Sequence, residues 1–295
     1  QKMITIKPSL VLKPNDVILV IGKPDVLMQV YNVIGKTQGQ FPMPFGRNIY
    51  LYLDLYLQND VSIKKAIDEA KYLNQKLKNN LLIVRITRPT TVQIMDYIKE
   101  ELKHFPSIIL LIDYGNKGFN KITKEDFRKN NIGMIMLTPE MFKNKENIQS
   151  VLDLKIPIFK FGKENLKAVK RTVIILNDTN SYEQISPIVF DISSQLKIKT
   201  KIFDLDPVGD KEGKTNLLDH FENLAKIFNE KIEVVTSGQN PIRELKKQKD
   251  MLQLLPLKEK MFKKRFFFKF LYTNSDFIAF DLNKYNQLLI PIVEE

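Results

Sequence analysis

Three sets of residues in this sequence combine types and spacings that could do chemistry. Asp54, Asp113 and Asp178 each close an apolar run of strand length. That places their carboxylates at the edge where open parallel sheets bind ligands. Asp54 and Asp178, with Ser181 three residues on, are the ligand-binding candidates, although aspartate also serves as a turn and N-cap residue. A second set, Gly209-Asp210-Lys211-Glu212-Gly213-Lys214-Thr215, follows a strand pattern and precedes a helical one, the setting a phosphate-cradling loop requires. Its glycines are one residue too close together and Asp210 and Glu212 would repel an anion, so a flexible connection is expected there.

The third set runs from Lys258 to Phe270 and interleaves basic residues with five phenylalanines. Lys263, Lys264 and Arg265 form a candidate anion or interaction surface. Three readings are open: stacking on single-stranded nucleic acid, an interfacial helix on anionic lipid, or phenylalanines buried between lobes while the lysines stay wet. The third is favoured. His104 and His220, the two histidines, sit on helical patterns with no second imidazole at a ligand spacing, which leaves no metal site in view.

These residues need elements to hold them. From Asn48 the pattern reads strand 49–55, helix 62–77, strand 81–87, helix 92–103, strand 108–113, helix 123–129, strand 133–137, helix 147–154 and strand 156–159. It restarts as strand 172–176, helix 182–196, strand 199–205, helix 217–228, strand 232–236, helix 241–248 and strand 251–255, with a last strand at 288–293. Such alternation specifies a parallel sheet covered by helices, an α/β fold. Three paired triplets suggest a repeat: Ile156-Pro157-Ile158 with Ile290-Pro291-Ile292, Leu137-Thr138-Pro139 with Leu254-Leu255-Pro256, and Met141-Phe142-Lys143 with Met261-Phe262-Lys263. A proline in each closing strand implies that each unit ends on a sheet edge.

Composition bounds the function. The 295 residues carry a formal charge of +12, yet 34 acidic residues are scattered among the lysines, so a solvated surface is expected rather than a nucleic-acid site. With no cysteine, thiolate catalysis, disulfides and cysteine metal sites are excluded. No apolar run reaches the roughly 18 residues a membrane span requires. The opening Gln1-Lys2-Met3-Ile4 lacks a signal-peptide layout, and the chain is expected to begin partway through a longer protein.

Before Asn48 the sequence reads strand 3–7, strand 17–21 and helix 25–34, then a breaker-rich linker. The stretch from Leu12 through Asn15-Asp16, the apolar Val17 to Ile21, Gly22 and the following helix resembles the end of an RCK C-terminal (TrkA-C) domain. The later units, with Val173-Ile174-Ile175-Leu176-Asn177-Asp178-Thr179-Asn180-Ser181 and, in the first unit, Asp54, resemble universal stress proteins. These resemblances imply a partial RCK segment over 1–46 and two tandem Rossmann-like lobes, 47–168 and 169–295, packed as a pseudo-dimer. The ATP-binding members of the stress family use a glycine-rich loop after the fourth strand, where bare backbone approaches phosphates. Neither 138–157 nor 256–280 contains a glycine, so that binding mode is expected to be lost.

The expectation that follows is a non-enzymatic, cytoplasmic regulatory module of bacterial potassium transport, working by ligand-linked conformational change. The RCK resemblance implies a potassium transporter or channel as partner, placing the protein at the inner membrane through that partner. It also implies homo-oligomerisation of the full-length protein and an upstream Rossmann-type domain binding NAD(H) or ATP, with no cofactor in this stretch. Alternatives are a sensor for a nucleotide or small anion and a nucleic-acid-binding protein.

Overall fold

The computed structural model describes residues 20–23, 40–43, 45–115, 117–176, 178–204, 211–238, 241–258 and 282–292. Gln1–Thr37 with Glu295 forms one unit and Gln38–Glu294 another, and the fold below is that of the second. The elements expected at 3–7 and 25–34, most of that at 17–21, and Met261-Phe262-Lys263 lie outside the described residues.

Apolar runs become the strands β1 (Asn48–Asp54), β2 (Leu82–Thr87), β3 (Ile108–Asp113), β4 (Ile132–Leu137) and β5 (Ile158–Lys160), all but the half-buried β3 being buried on both faces. The series continues with β6 (Arg171–Ile175), β7 (Lys199–Asp204), β8 (Ile232–Thr236), β9 (Met251–Leu257) and β10 (Asn286–Pro291). The helices are α1 (Asp60–Lys76), α2 (Val92–Lys103), α3 (Phe119–Asn130), α4 (Lys145–Leu152), α5 (Thr179–Leu196), α6 (Lys211–Phe228) and α7 (Pro241–Lys247). Local chemistry sets their starts: the Asn59 side chain accepts from Ser62 N at 2.8 Å, and Thr91 does the same for Ile94 N at 3.4 Å. In α1, Ile63, Ala66, Ile67, Ala70 and Leu73 recur at helical spacing and bury one stripe.

The strands form one ten-stranded sheet in the order β3-β2-β1-β4-β5-β10-β9-β6-β7-β8. Within β1–β5 every pairing is parallel, and within β6–β10 likewise. The two halves meet at β5 and β10, which pair antiparallel through Ile158 with Leu289, Phe159 with Leu288 and Lys160 with Gln287. Each half has the same order, and the halves run in opposite directions. Helices α1, α2, α5 and α6 bury their apolar stripes on one face of the sheet. The other face carries α3, α4 and α7.

Two expectations require correction. The closing strands are not edges: β5 and β10 lie at the centre of the sheet. The prolines are tolerated because Pro157 precedes β5, offering its carbonyl to Ile135 N at 3.1 Å, while Pro291 is the last residue of β10. The two described triplet pairs therefore occupy different structural positions, and the likeness of the halves resides in strand order. The expected flexible loop is also partly helical, because α6 begins at Lys211 rather than Leu217 and takes in Gly213-Lys214-Thr215. Lys214 is buried there, its ammonium 3.0 Å from the buried Asp204 carboxylate at the end of β7.

Candidate functional site

Opposite strand directions decide where the candidates lie. Asp54 ends β1, whereas Asp178 and Ser181 follow β6, so the two carboxylates stand at opposite edges of the sheet. The structure brings Asp178 and Ser181 together and separates both from Asp54. Lys263, Lys264 and Arg265 lie outside the described residues.

At the first edge, Asp54 is buried and grips Arg88, the residue just past β2. Arg88 Nε lies 2.9 and 3.1 Å from the two carboxylate oxygens, and Nη2 also bonds Oδ2. The Tyr56 N–H adds a bond to Oδ1 at 3.2 Å, and the Arg88 guanidinium stacks over the Tyr56 ring at 4.9 Å. Hydrogen bonding to Asp54 holds the Arg88 pKa above its ordinary value, so the guanidinium keeps its charge. Arg88 sits at φ 48°, a left-handed conformation costly for a side-chain-bearing residue. Below it the Thr87 hydroxyl donates to Tyr52 Oη at 3.1 Å. Burial pushes the Tyr52 pKa up to about 12.

In each half the strand order reverses beside the central strand, where α/β sheets open their binding crevice. Between β1 and β4 that crevice is bridged by Gln58 Nε2 donating to Thr138 Oγ1 at 2.7 Å. Between β6 and β9 it is bridged by Lys258 Nζ bonding Asp178 Oδ2 at 2.6 Å. Asp178 also caps α5, accepting from Ser181 N at 3.3 Å and Ser181 Oγ at 2.9 Å. Burial opposes its ionisation, but the bonds from Lys258 and Ser181 prevail and hold its pKa below the ordinary value.

The atoms left without partners are informative. Around the first edge Gln58 Oε1, Asp113 Oδ2 and Glu140 Oε2 are buried and accept no hydrogen bond from the described residues. All three are acceptors, so this edge suits a ligand that brings donors or positive charge better than it suits a phosphate. His104 caps the C-terminus of α2. Among the described residues no group of three acidic or histidine side chains could hold a metal.

Sequence reasoning found the aspartates but missed Arg88, Gln58 and Thr138. Arg88 becomes legible only once β1 and β2 are paired in register, Asp54 beside Thr87. Gln58 and Thr138 lie 80 residues apart, and no local pattern joins them.

No protein family's sequence profile matches this chain, and no curated protein resembles it in sequence. Solved structures do share its fold. A universal stress protein from Archaeoglobus fulgidus DSM 4304 aligns with a TM-score of 0.50 at 13% identity, covering 82% of this chain and 96% of that one. The cytoplasmic domain of a prokaryotic cation chloride cotransporter aligns with a TM-score of 0.51 at 11% identity, covering 83% of this chain and 95% of that one. The fold is thus a universal-stress-protein-like, Rossmann-type α/β arrangement. Among the described residues no helix is long and apolar enough to cross a membrane.

Proposed function

We propose that this chain is a non-enzymatic regulatory module acting from the cytoplasm on a membrane ion transporter. One observation carries the reading: 83% of the chain aligns in fold with the cytoplasmic domain of a prokaryotic cation chloride cotransporter. Potassium is the ion implied by the resemblance of the first stretch to the end of an RCK domain, and the two halves are read as tandem copies of one stress-protein-like unit. Asp54 and Arg88 form the ligand edge, with Gln58 and Thr138 as a bridge that a ligand must open. Asp178 and Ser181 hold the corresponding position in the second half. A module of this kind works by differential affinity: a ligand that prefers the opened crevice shifts the population toward it.

The test is an in-frame deletion of codons 38–294 in the natural gene, followed by rubidium uptake as a tracer for potassium. Altered uptake at unchanged abundance of the remaining protein is expected. Unchanged uptake under both low and high external potassium would sink the assignment. The ligand is sought by thermal shift with amines, monovalent cations and adenine nucleotides. Ligand at about 100 times its dissociation constant stabilises by about 2.7 kcal/mol. Donor-bearing compounds are expected to shift the melting temperature more than nucleotides do.

A further inference from the structure

The ends of the ten-stranded sheet are chemically unlike. At one end β8 carries Glu233, paired with Lys201 of β7 at 2.7 Å, and its Glu233, Val234 and Thr236 are exposed. Charge on an edge strand discourages pairing with another chain. At the other end β3 reads Ile-Ile-Leu-Leu-Ile-Asp, with every residue half-buried and no lysine, proline or bulge along it. Among the described residues its outer side has no strand neighbour.

The direction of its free backbone groups follows from register. Leu82 N bonds Ser107 O at 2.9 Å, and Leu82 is the register partner of Ile108. In a parallel ladder this turns the N–H and C=O of residues 107, 109 and 111 toward β2. The N–H and C=O of Ile108, Leu110 and Ile112 then face outward.

We propose that β3 is a dimerisation edge, pairing antiparallel with β3 of a second copy about a two-fold axis through Leu110. Three features favour a second copy as the occupant. A two-fold axis at Leu110 sets Leu110 opposite its own copy and Ile108 opposite Ile112, each pair exchanging two backbone hydrogen bonds. The apolar strand then meets an equally apolar strand on both faces, extending both hydrophobic layers. The chain already makes this kind of junction once, where β5 and β10 join two parallel halves antiparallel. The same register places Ser107 of the second copy opposite Asp113, whose buried Oδ2 has no donor among the described residues. The resulting sheet of two chains ends at both sides on the charged β8.

The test is sedimentation velocity of the full 295-residue chain from about 1 to about 100 micromolar, with amide exchange at both extremes. The expected result is a concentration-dependent dimer in which the Ile108, Leu110 and Ile112 amides exchange on the order of tenfold more slowly than in the monomer. Leu110→Pro removes an outward N–H without breaking a bond to β2, and should yield a folded monomer. If that variant does not fold, exchange in the unaltered chain decides. A chain that stays monomeric overturns the proposal, whether those amides exchange fast or are covered by the chain's own residues. So does a dimer in which they remain fast, since its interface lies elsewhere.

Discussion

Asp178 and Asp54 occupy similar places in sequence but differ in what holds them. Asp54 is locked by an arginine that stacks on Tyr56, whereas Asp178 is held by a lysine whose own side chain is only 10% exposed. Replacing Lys258 with Ala removes the partner of a carboxylate that is 37% exposed and therefore partly screened. We expect a loss of about 1–2 kcal/mol at pH 7 by urea unfolding. The sign of the pH dependence follows from the depressed pKa: the contribution is complete above the unfolded aspartate value and is lost as pH falls through the lower folded value. The difference between variant and parent should therefore shrink below about pH 4. A gap that stays constant down to pH 2 would exclude Asp178 as the titrating partner.

At the scale of elements, α3 is fastened to the sheet by one carboxylate. Asp126 accepts from Tyr50 Oη at 2.6 Å and from Arg85 Nε at 2.7 Å, with a second bond from Arg85 Nη2. Burial, then the neighbouring Asp126 charge, raises the Tyr50 pKa well above its ordinary value, so the phenol remains the donor. Removing Asp126 leaves Arg85, whose side chain is only 14% exposed, without its carboxylate. Asp126→Ala should cost about 3–5 kcal/mol, while Arg85→Met with Asp126→Leu should recover most of it. Equal destabilisation in the single and double variants would contradict this account. Helix α5 passes through Pro187, which frees the Glu183 carbonyl of its usual partner. Ser186 Oγ donates to that carbonyl at 2.7 Å and lies 2.9 Å from His220 Nε2 of α6. The repair of the proline gap thus ties α5 to α6, and it assigns the Nε2–H tautomer to His220.

For the whole molecule the decisive joint is the short β5–β10 pair. Gly162 lies beside it, and a Cβ there would sit 2.1 Å from the Tyr285 backbone carbon. Gly162→Ala should therefore force the halves apart locally, giving a lower melting temperature and faster amide exchange in β5 and β10 than in β1 or β7; uniform exchange would argue against it. A second joint is the segment before β1. Phe41 is buried in the larger core, and Asp191 of α5 accepts the N–H groups of Gln40 at 3.0 Å and Phe41 at 2.9 Å. Gln195 of α5 donates to Phe41 O at 3.1 Å and accepts Lys78 N at 2.6 Å, so a helix of the second half holds both the entering chain and the first half. Phe41→Ala should cost about 3–5 kcal/mol by urea unfolding and open residues 40–47 to proteolysis. Protection unchanged from the parent would show that the segment is held by other contacts.

Composition and periodicity determined the α/β class, the alternation of elements and several boundaries to the residue, as at α2, β3 and β8, because strand and helix differ in the period at which apolar residues recur and polar residues punctuate their ends. They could not place the start of α6, where glycine and charge read as a loop until Asp204 of β7 supplies the counter-charge that lets Lys214 be buried. Nor could they show that β5 and β10 are central, since two interior strands of modest length differ from edge strands only in what lies beside them. Above all, the sequence located carboxylates at the carboxyl ends of strands but not that those ends point opposite ways. That is decided by three antiparallel residue pairs between β5 and β10, a contact across more than a hundred residues that only the folded sheet brings together.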